Sequence, residues 1–218
     1  TNGNLMLATS SPSFTTVGGQ MGLSYSYNSK AEPTAGLTGS YYDLSLLAPG
    51  SRPGGADKPS LVRRDSAVSF NWGTGPAWTN IAADKFYVSW DGYFSVPTTG
   101  TYNLGVACDD GATITLNGTL RVDTWSSGCG SGTNWSSNLS LTAGTVYPIN
   151  TEFNDASGAA SINLQAKGPG LATGGQDVPS SWLSTTAPAM PLGWSVSADL
   201  DGAIAYQSAT VVHVVFHL

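Results

Sequence analysis

Apolar and polar residues alternate through the middle of the chain. Tyr102, Leu104, Val106 and Cys108 fall on every second position, the period at which a strand presents one face. The alternation resumes at Ile114 and Leu116. Asn117–Gly118 is a strong hairpin signal, after which Leu120 and Val122 begin the return. Upstream, Phe86–Trp90 and Gly92–Val96 predict two strands ahead of a Pro-Thr-Thr-Gly turn. Downstream, Thr145–Phe153 and Ala160–Ala166 predict two more, joined by Asn-Asp-Ala-Ser-Gly-Ala. Helical periodicity is confined to Ser180–Leu183. Short strands with frequent turns predict an all-β fold, a sandwich or barrel.

The two ends differ from this middle. Residues 1–30 hold short strands near Leu5–Ala8 and Leu23–Tyr27, and residues 191–218 hold a further strand–turn–strand pattern. Proline-bearing polar stretches, "AEPTAG" and "STTAPAMP", separate the ends from the centre. The expected organisation is an antiparallel β-sandwich over 35–185, inserted into a small β-rich lobe built from 1–34 and 186–218. Domain termini that lie close together tolerate such insertions.

Composition narrows the function. With 10% charged residues, 27 Gly and 12 Pro, the 218-residue chain has the make-up of a secreted all-β module. Its 40% hydrophobic content and seven Trp are incompatible with disorder. The net charge is −6, and Arg63–Arg64 is the only adjacent basic pair, so nucleic acid and anionic membranes are poor partners. A cation or a neutral ligand suits the chain better. No run is long enough for a membrane helix and no signal peptide is evident, and the opening at Thr1 within a strand pattern suggests a piece of a longer protein. In the tail "VVHVVFHL", His213 and His217 have the spacing of two ligands on a helix face, but the Val-rich run predicts a terminal strand.

Two cysteines in a chain of this character point to one disulfide, Cys108–Cys129, closing a loop of about twenty residues. The alternative is two unpaired thiols. Asp109 and Asp110 stand back to back where one alternating segment stops and the next starts. They are either ordinary turn residues or the carboxylates of a cation site. Catalysis is not expected. Glu152 and Asp155 are the obvious glycosidase pair to consider, but the only other glutamate, Glu32, lies in a linker, and no second carboxylate marks a cleft. Asp199–Gly202 reads as a turn.

The block from "GLTGSYYD" (Gly36–Asp43) to "LQAKGPG" (Leu164–Gly170) resembles the protective-antigen module, the β-sandwich domain named after anthrax toxin and found in yeast flocculins, bacterial adhesins and glycosidases. The pieces "LVRRDSAVSFNWGTG", "FYVSWDGYFSVPTTGTYNLGV", "DDGATITLNGTLRVDTW" and "LTAGTVYPINTEF" carry the likeness, in family order. The flanks, with "YNS" before Lys30 and "GWS" after Leu192, resemble the start of the shell in bacterial Rhs/YD-repeat proteins, with the sandwich spliced between Ser29 and Pro191.

The resemblance implies a Ca²⁺ site. In sugar-binding members an Asp-Asp pair joined by a cis bond clasps the ion, a neighbouring loop completes its shell, and sugar hydroxyls take the remaining positions. Here the pair is Asp109–Asp110, with Gly111 easing the turn. The loop runs from Glu152 to Ser161, with Asn154, Asp155 and backbone oxygens at Ala156 and Ser157 as candidate donors. Ala159 stands where a common family form has Asp. Sugar contacts would come from Asp109, Asp110, Asp155 and Ser157, and from Trp135 stacking on a sugar face. Trp125, Trp72, Trp78 and Trp90 are expected in the core. The implied protein is a calcium-dependent, lectin-like module on the bacterial cell surface or outside the cell, monomeric, binding glycan in cell adhesion. The competing expectations are a non-binding spacer domain and an accessory domain of a glycosidase.

Overall fold

The computed structural model describes residues 6–10, 14–16, 19–28, 35–185 and 194–200. His213, His217 and the Ser29 and Pro191 junctions lie outside the described residues. The chain forms two compact units, residues 1–32 with 189–218, and residues 33–188.

In the first unit β1 (Met6–Ser10), β2 (Phe14–Thr16) and β3 (Gly19–Asn28) come from the start of the chain. The second unit carries β4 (Leu37–Asp43), β5 (Leu61–Asp65), β6 (Ser69–Gly73), β7 (Phe86–Ser95), β8 (Gly100–Asp109), β9 (Gly111–Leu116) and β10 (Thr119–Asp123). It continues with β11 (Asn134–Trp135), β12 (Leu139–Leu141), β13 (Val146–Asn154), β14 (Ala160–Lys167), β15 (Gln176–Asp177), a 3₁₀ turn at Ser180–Trp182 and β16 (Leu183–Ser184). The last described strand, β17 (Trp194–Leu200), returns to the first unit and pairs antiparallel with β3, Trp194 opposite Tyr27.

The second unit is an antiparallel sandwich, as the alternation predicts. One sheet runs β10-β9-β13-β7-β4-β5 with β16 beside β7. The other runs β11-β8-β14-β15, with β12 beside β8 and β6 beside β14. The predicted inward face of β8 is buried: Tyr102, Leu104 and Val106 are fully covered and Cys108 nearly so. On β14, Ala160, Ile162, Leu164 and Ala166 point the same way. They meet Leu37, Tyr41, Trp90, Phe94, Ile114 and Phe153 from the opposite sheet. Asn117 and Gly118 form the expected hairpin with positive φ of 51° and 71°. A register shift between Leu120 and Val122 then leaves Leu120 exposed while Val122 is buried.

One expected break is missing. Phe86–Ser95 is a single strand, because Asp91–Gly92 pairs with Asn150 and Ile149 instead of turning. Gly92 serves close packing there: a Cβ would lie 2.5 Å from the Ser184 carbonyl oxygen and 2.7 Å from Leu37 Cδ2.

The topology fixes the aspartate pair. β8 belongs to one sheet and β9 to the other, so Asp109–Asp110 is where the chain crosses between sheets, not a hairpin tip. The β13–β14 connection makes the same crossing in reverse. Asn154 pairs with Gly111 and Ser161 with Asp109, which sets the two crossovers side by side at one end of the sandwich.

Candidate cation and ligand site

The peptide bond between Asp109 and Asp110 is cis. Asp110 Oδ2 accepts the backbone N–H of Ala156 at 2.6 Å and of Ser157 at 3.2 Å. Asp84 Oδ1 accepts the next N–H, from Gly158, at 2.8 Å. Three successive amides of the β13–β14 loop therefore face carboxylates. Asp155, in the same loop, is 1% exposed. The Lys85 N–H donates to its Oδ2 at 3.1 Å, and its Oδ1 is buried with no hydrogen-bond partner.

Electrostatics at this corner are unbalanced. Burial, and then the carboxylates of Asp110, Asp84 and Asp109, push the Asp155 carboxyl up to about 7. Among the described residues, ion pairs join Arg52 to Glu152 and Arg63 to Asp65, and none reaches these four aspartates. A buried carboxylate oxygen without a donor is costly unless a cation meets it. The donors on offer are all oxygens, the chemistry of a hard cation such as Ca²⁺. Among the described residues no three His, Cys, Asp or Glu side chains are arranged to hold a metal, so an ion here would need backbone oxygens or ligand hydroxyls to complete its shell. Within that limit the residues fit calcium.

The other sequence candidates divide. Asn154 is 3% exposed, and its Nδ2 donates to the Gly111 and Trp125 carbonyls at 3.2 and 3.5 Å, stitching the two crossovers together. Gly111 is required by this approach, since a Cβ would lie 2.4 Å from the Trp125 carbonyl oxygen. Ala156 and Ser157, expected to offer carbonyl oxygens, engage the corner through their N–H groups. Ala159 leaves no carboxylate after Gly158. Asp84, which no motif marks because it lies in the irregular stretch before β7, supplies one from another segment.

Trp135 is not at the corner. It pairs with Gly105 on β8, four residues before Asp109, and Lys167 Nζ sits 3.9 Å from its ring centroid. Its ring packs against Gly105 and Gly175, where any Cβ would come within 2.5 Å of it. The expected stacking role therefore finds no open ring face beside the aspartates. Trp125 is also displaced from expectation. It is half-buried at the rim, with Arg52 stacked 3.7 Å above its ring and its indole N–H on the Gly50 carbonyl. Arg52 also pairs with Glu152, which accepts from Tyr87 and Thr113. Burial pushes the Glu152 carboxyl up, but hydrogen bonds from Arg52, Tyr87 and Thr113 outweigh it and hold the group below its ordinary range. Glu152 thus fastens the residue 44–60 loop. Trp90 is core, Trp72 packs partly buried against it, and Trp78 is 43% exposed, outside the core expected for it.

Cys108 and Cys129 form a disulfide, Cα–Cα 5.2 Å. The Cys129 N–H donates to the Asp110 carbonyl at 3.2 Å, so the bridge pins the 124–133 segment against the corner. Removing it in Cys108→Ala/Cys129→Ala is expected to cost about 3 kcal/mol for the loop of separation 21, measured by urea denaturation. An unchanged midpoint would show that the segment is held by its hydrogen bonds alone.

A cleft of about 710 Å³ opens beside the pair. Asp109, Asp110 and the disulfide line it, together with Asn71, Ser161 and Asn163.

A two-sheet antiparallel sandwich with an acidic corner at its sheet crossover defines a protective-antigen-type β-sandwich. The model of the PA14 domain matches residues 22–178, and the chain belongs to that family. The anti-sigma-I factor RsgI3 of Acetivibrio thermocellus is 31% identical over 130 residues, covering 60% of this chain and 18% of that protein. An anti-sigma factor domain-containing protein from Clostridium clariflavum superimposes with a TM-score of 0.60 at 30% identity, over 72% of this chain and 50% of that one. The chain thus spans half or less of either relative's length. A PA14 sugar-binding domain from an RTX adhesin shares the fold, with a TM-score of 0.55 at 19% identity, over 71% and 99% of the two chains.

Proposed function

We propose that this chain is a calcium-dependent carbohydrate-binding module, non-catalytic and monomeric, within a larger secreted or surface-exposed bacterial protein such as an adhesin. The observation that carries the proposal is the buried, donorless Oδ1 of Asp155 set among the carboxylates of Asp84, Asp109 and Asp110. The shared fold of a sugar-binding adhesin domain supports the same reading. Asp109, Asp110 and Asp155 would contribute to holding the ion only together with backbone oxygens and a ligand's vicinal hydroxyls, to which the ion supplies a Lewis-acidic point. The chain's own part is to fix the loop. Asp110 and Asp84 hold its amides, Asn154 ties it to the crossover, and the disulfide sets the facing wall. Ser157, exposed beside Asp110, would be a sugar contact of this site.

On a glycan array the wild-type module is expected to bind in millimolar calcium and to lose all signal in chelator. Asp109→Ala should give no signal under either condition. If wild type gives none in calcium either, the alternative reading stands, that of a non-binding spacer. If signal survives chelation, the ion is not part of recognition.

A further inference from the structure

The sandwich carries a second polar recess, at the end away from the aspartates. β9 runs from Gly111 to Leu116, so its far end is about 20 Å from the pair. A pocket of about 230 Å³ opens there, lined from β9, β10 and β13 of one sheet and from β12 beside the other. Arg121 lines it, and a bulge puts it there. The register shift between Leu120 and Val122 leaves Arg121 as the extra residue, without a partner on β9. Such a bulge re-aims the side chain it carries.

Among the described residues the Arg121 guanidinium makes no hydrogen bond and no ion pair. The other three arginines are engaged: Arg52 with Glu152, Arg63 with Asp65, and Arg64 with the Ala35 carbonyl. Of the Arg121 nitrogens Nε is covered, so Nη1 and Nη2 are the ones left for a ligand.

The other polar groups of the pocket are donors too. Asn138 Oδ1 accepts from Asn103 Nδ2 at 3.1 Å, which leaves the Asn138 Nδ2 hydrogens. The Tyr147 hydroxyl accepts the Thr142 N–H at 3.0 Å, which leaves its own proton to give. Ser140 adds a hydroxyl, and no Asp or Glu lines the pocket. Buried leucines back it, and against an apolar wall a charge contact gains strength. An unpaired guanidinium among neutral donors calls for an anion, and its planar fork matches a carboxylate. A carboxylate has only two oxygens, so the remaining donors are free for hydroxyl or ring oxygens beside it.

We infer that this pocket binds the carboxylate of a sugar acid, one uronate unit. The volume is below the roughly 300–1,000 Å³ of most small-molecule sites, which suits a single unit. The net charge of −6 works against polyanions, whereas one carboxylate in contact with the guanidinium is stabilised locally. No metal is needed, so the inference is independent of the calcium corner.

The test is an NMR titration of the ¹⁵N-labelled chain in chelator at low salt, following the Arg121 Nε–H resonance. The ligands are galacturonate and glucuronate, against galactose, glucose, acetate and sulfate. At least one uronate is expected to bind about tenfold tighter than its neutral parent and than acetate, the worth of one charge-assisted hydrogen bond. Added salt should weaken it. Arg121→Ala should abolish binding, and Arg121→Lys, which keeps the charge without the fork, should lose most of it. Neither variant should change Tm or the response to calcium, because the guanidinium has no partner in the protein to lose. Acetate or sulfate binding as tightly as the uronates overturns the sugar-acid assignment, and so does equal binding of the neutral sugars. Uronate binding that survives in Arg121→Ala places the site elsewhere. A lowered Tm in Arg121→Ala shows that the guanidinium is already satisfied within the protein, and the inference fails. Loss of the calcium response in wild type would sink the lectin reading and leave this one standing.

Discussion

Asp110→Ala is expected to abolish the calcium response and also to weaken the calcium-free fold, whereas Asp109→Ala should do only the first. Both substitutions remove a carboxylate from the corner. Only Asp110 also accepts two loop amides, those of Ala156 and Ser157. Hydrogen bonds to a charged acceptor contribute more than neutral ones, and the site is partly exposed, so losing both costs about 2 kcal/mol. Relief of repulsion works the other way, because Asp110 is the neighbour that most strongly raises the Asp155 carboxyl. The balance depends on pH. At pH 6 Asp155 is largely protonated, there is little repulsion to relieve, and the lost hydrogen bonds decide the sign. Thermal melts at pH 6 in chelator should therefore rank wild type and Asp109→Ala together and Asp110→Ala below. Adding calcium to a hundredfold excess over its Kd should raise wild-type Tm by about 5–10 °C and neither variant's. A calcium-dependent rise in Asp110→Ala would place the ion elsewhere.

Much of this candidate site is legible in the sequence. The Asp109–Asp110 pair breaks a period-two pattern at a defined point, and a break with two like charges is a strong local signal. Cys108 precedes it in the same strand, which ties the disulfide to the corner. The β13–β14 loop follows from two alternating runs, and Asp155 is the only carboxylate in it. What resisted sequence reasoning was contact between distant segments. Asp84 is 74 residues from Gly158, and Arg52 is 100 residues from Glu152. Neither sits in a periodic element, so no pattern ranks them above other surface charges.

The aromatic residues failed for a related reason. A Gly/Ser-rich loop around Trp135 suggests an open, adaptable surface. In the fold two glycines, Gly105 and Gly175, leave the room that the indole fills, and Lys167 Nζ stands 3.9 Å from the ring centroid. Trp125 ends an alternating run and so looks like core, but its indole N–H needs an acceptor, and the Gly50 carbonyl at the rim supplies it. Likewise Asp91–Gly92 has turn composition yet lies mid-strand. The missing side chain makes room for β16, a reason invisible from neighbours in sequence.

Asp155→Asn is expected to stabilise the calcium-free protein and destroy its response to calcium. The ordinary value for this carboxyl is 3.8, and its folded-state value lies at about 7. Below pH 4 both folded and unfolded chains hold the proton, and the group costs nothing. Between those two values the unfolded chain releases its proton while the folded chain keeps it, so stability falls as pH rises. Above pH 7 the folded group is ionised too, and the full penalty, on the order of 4 kcal/mol, is in place. Asparagine has no proton to lose. It keeps an acceptor for the Lys85 N–H and removes the charge that Asp84, Asp109 and Asp110 oppose. In urea denaturation with chelator, wild type should lose stability from pH 5 to pH 8 more steeply than Asp155→Asn, and the variant should be the more stable of the two at pH 8. Saturating calcium should reverse that order, because the ion turns the same buried charge from a liability into a ligand. If Asp155→Asn is instead less stable than wild type in chelator at pH 8, the carboxylate is already satisfied within the protein. The need for a cation at this corner then disappears.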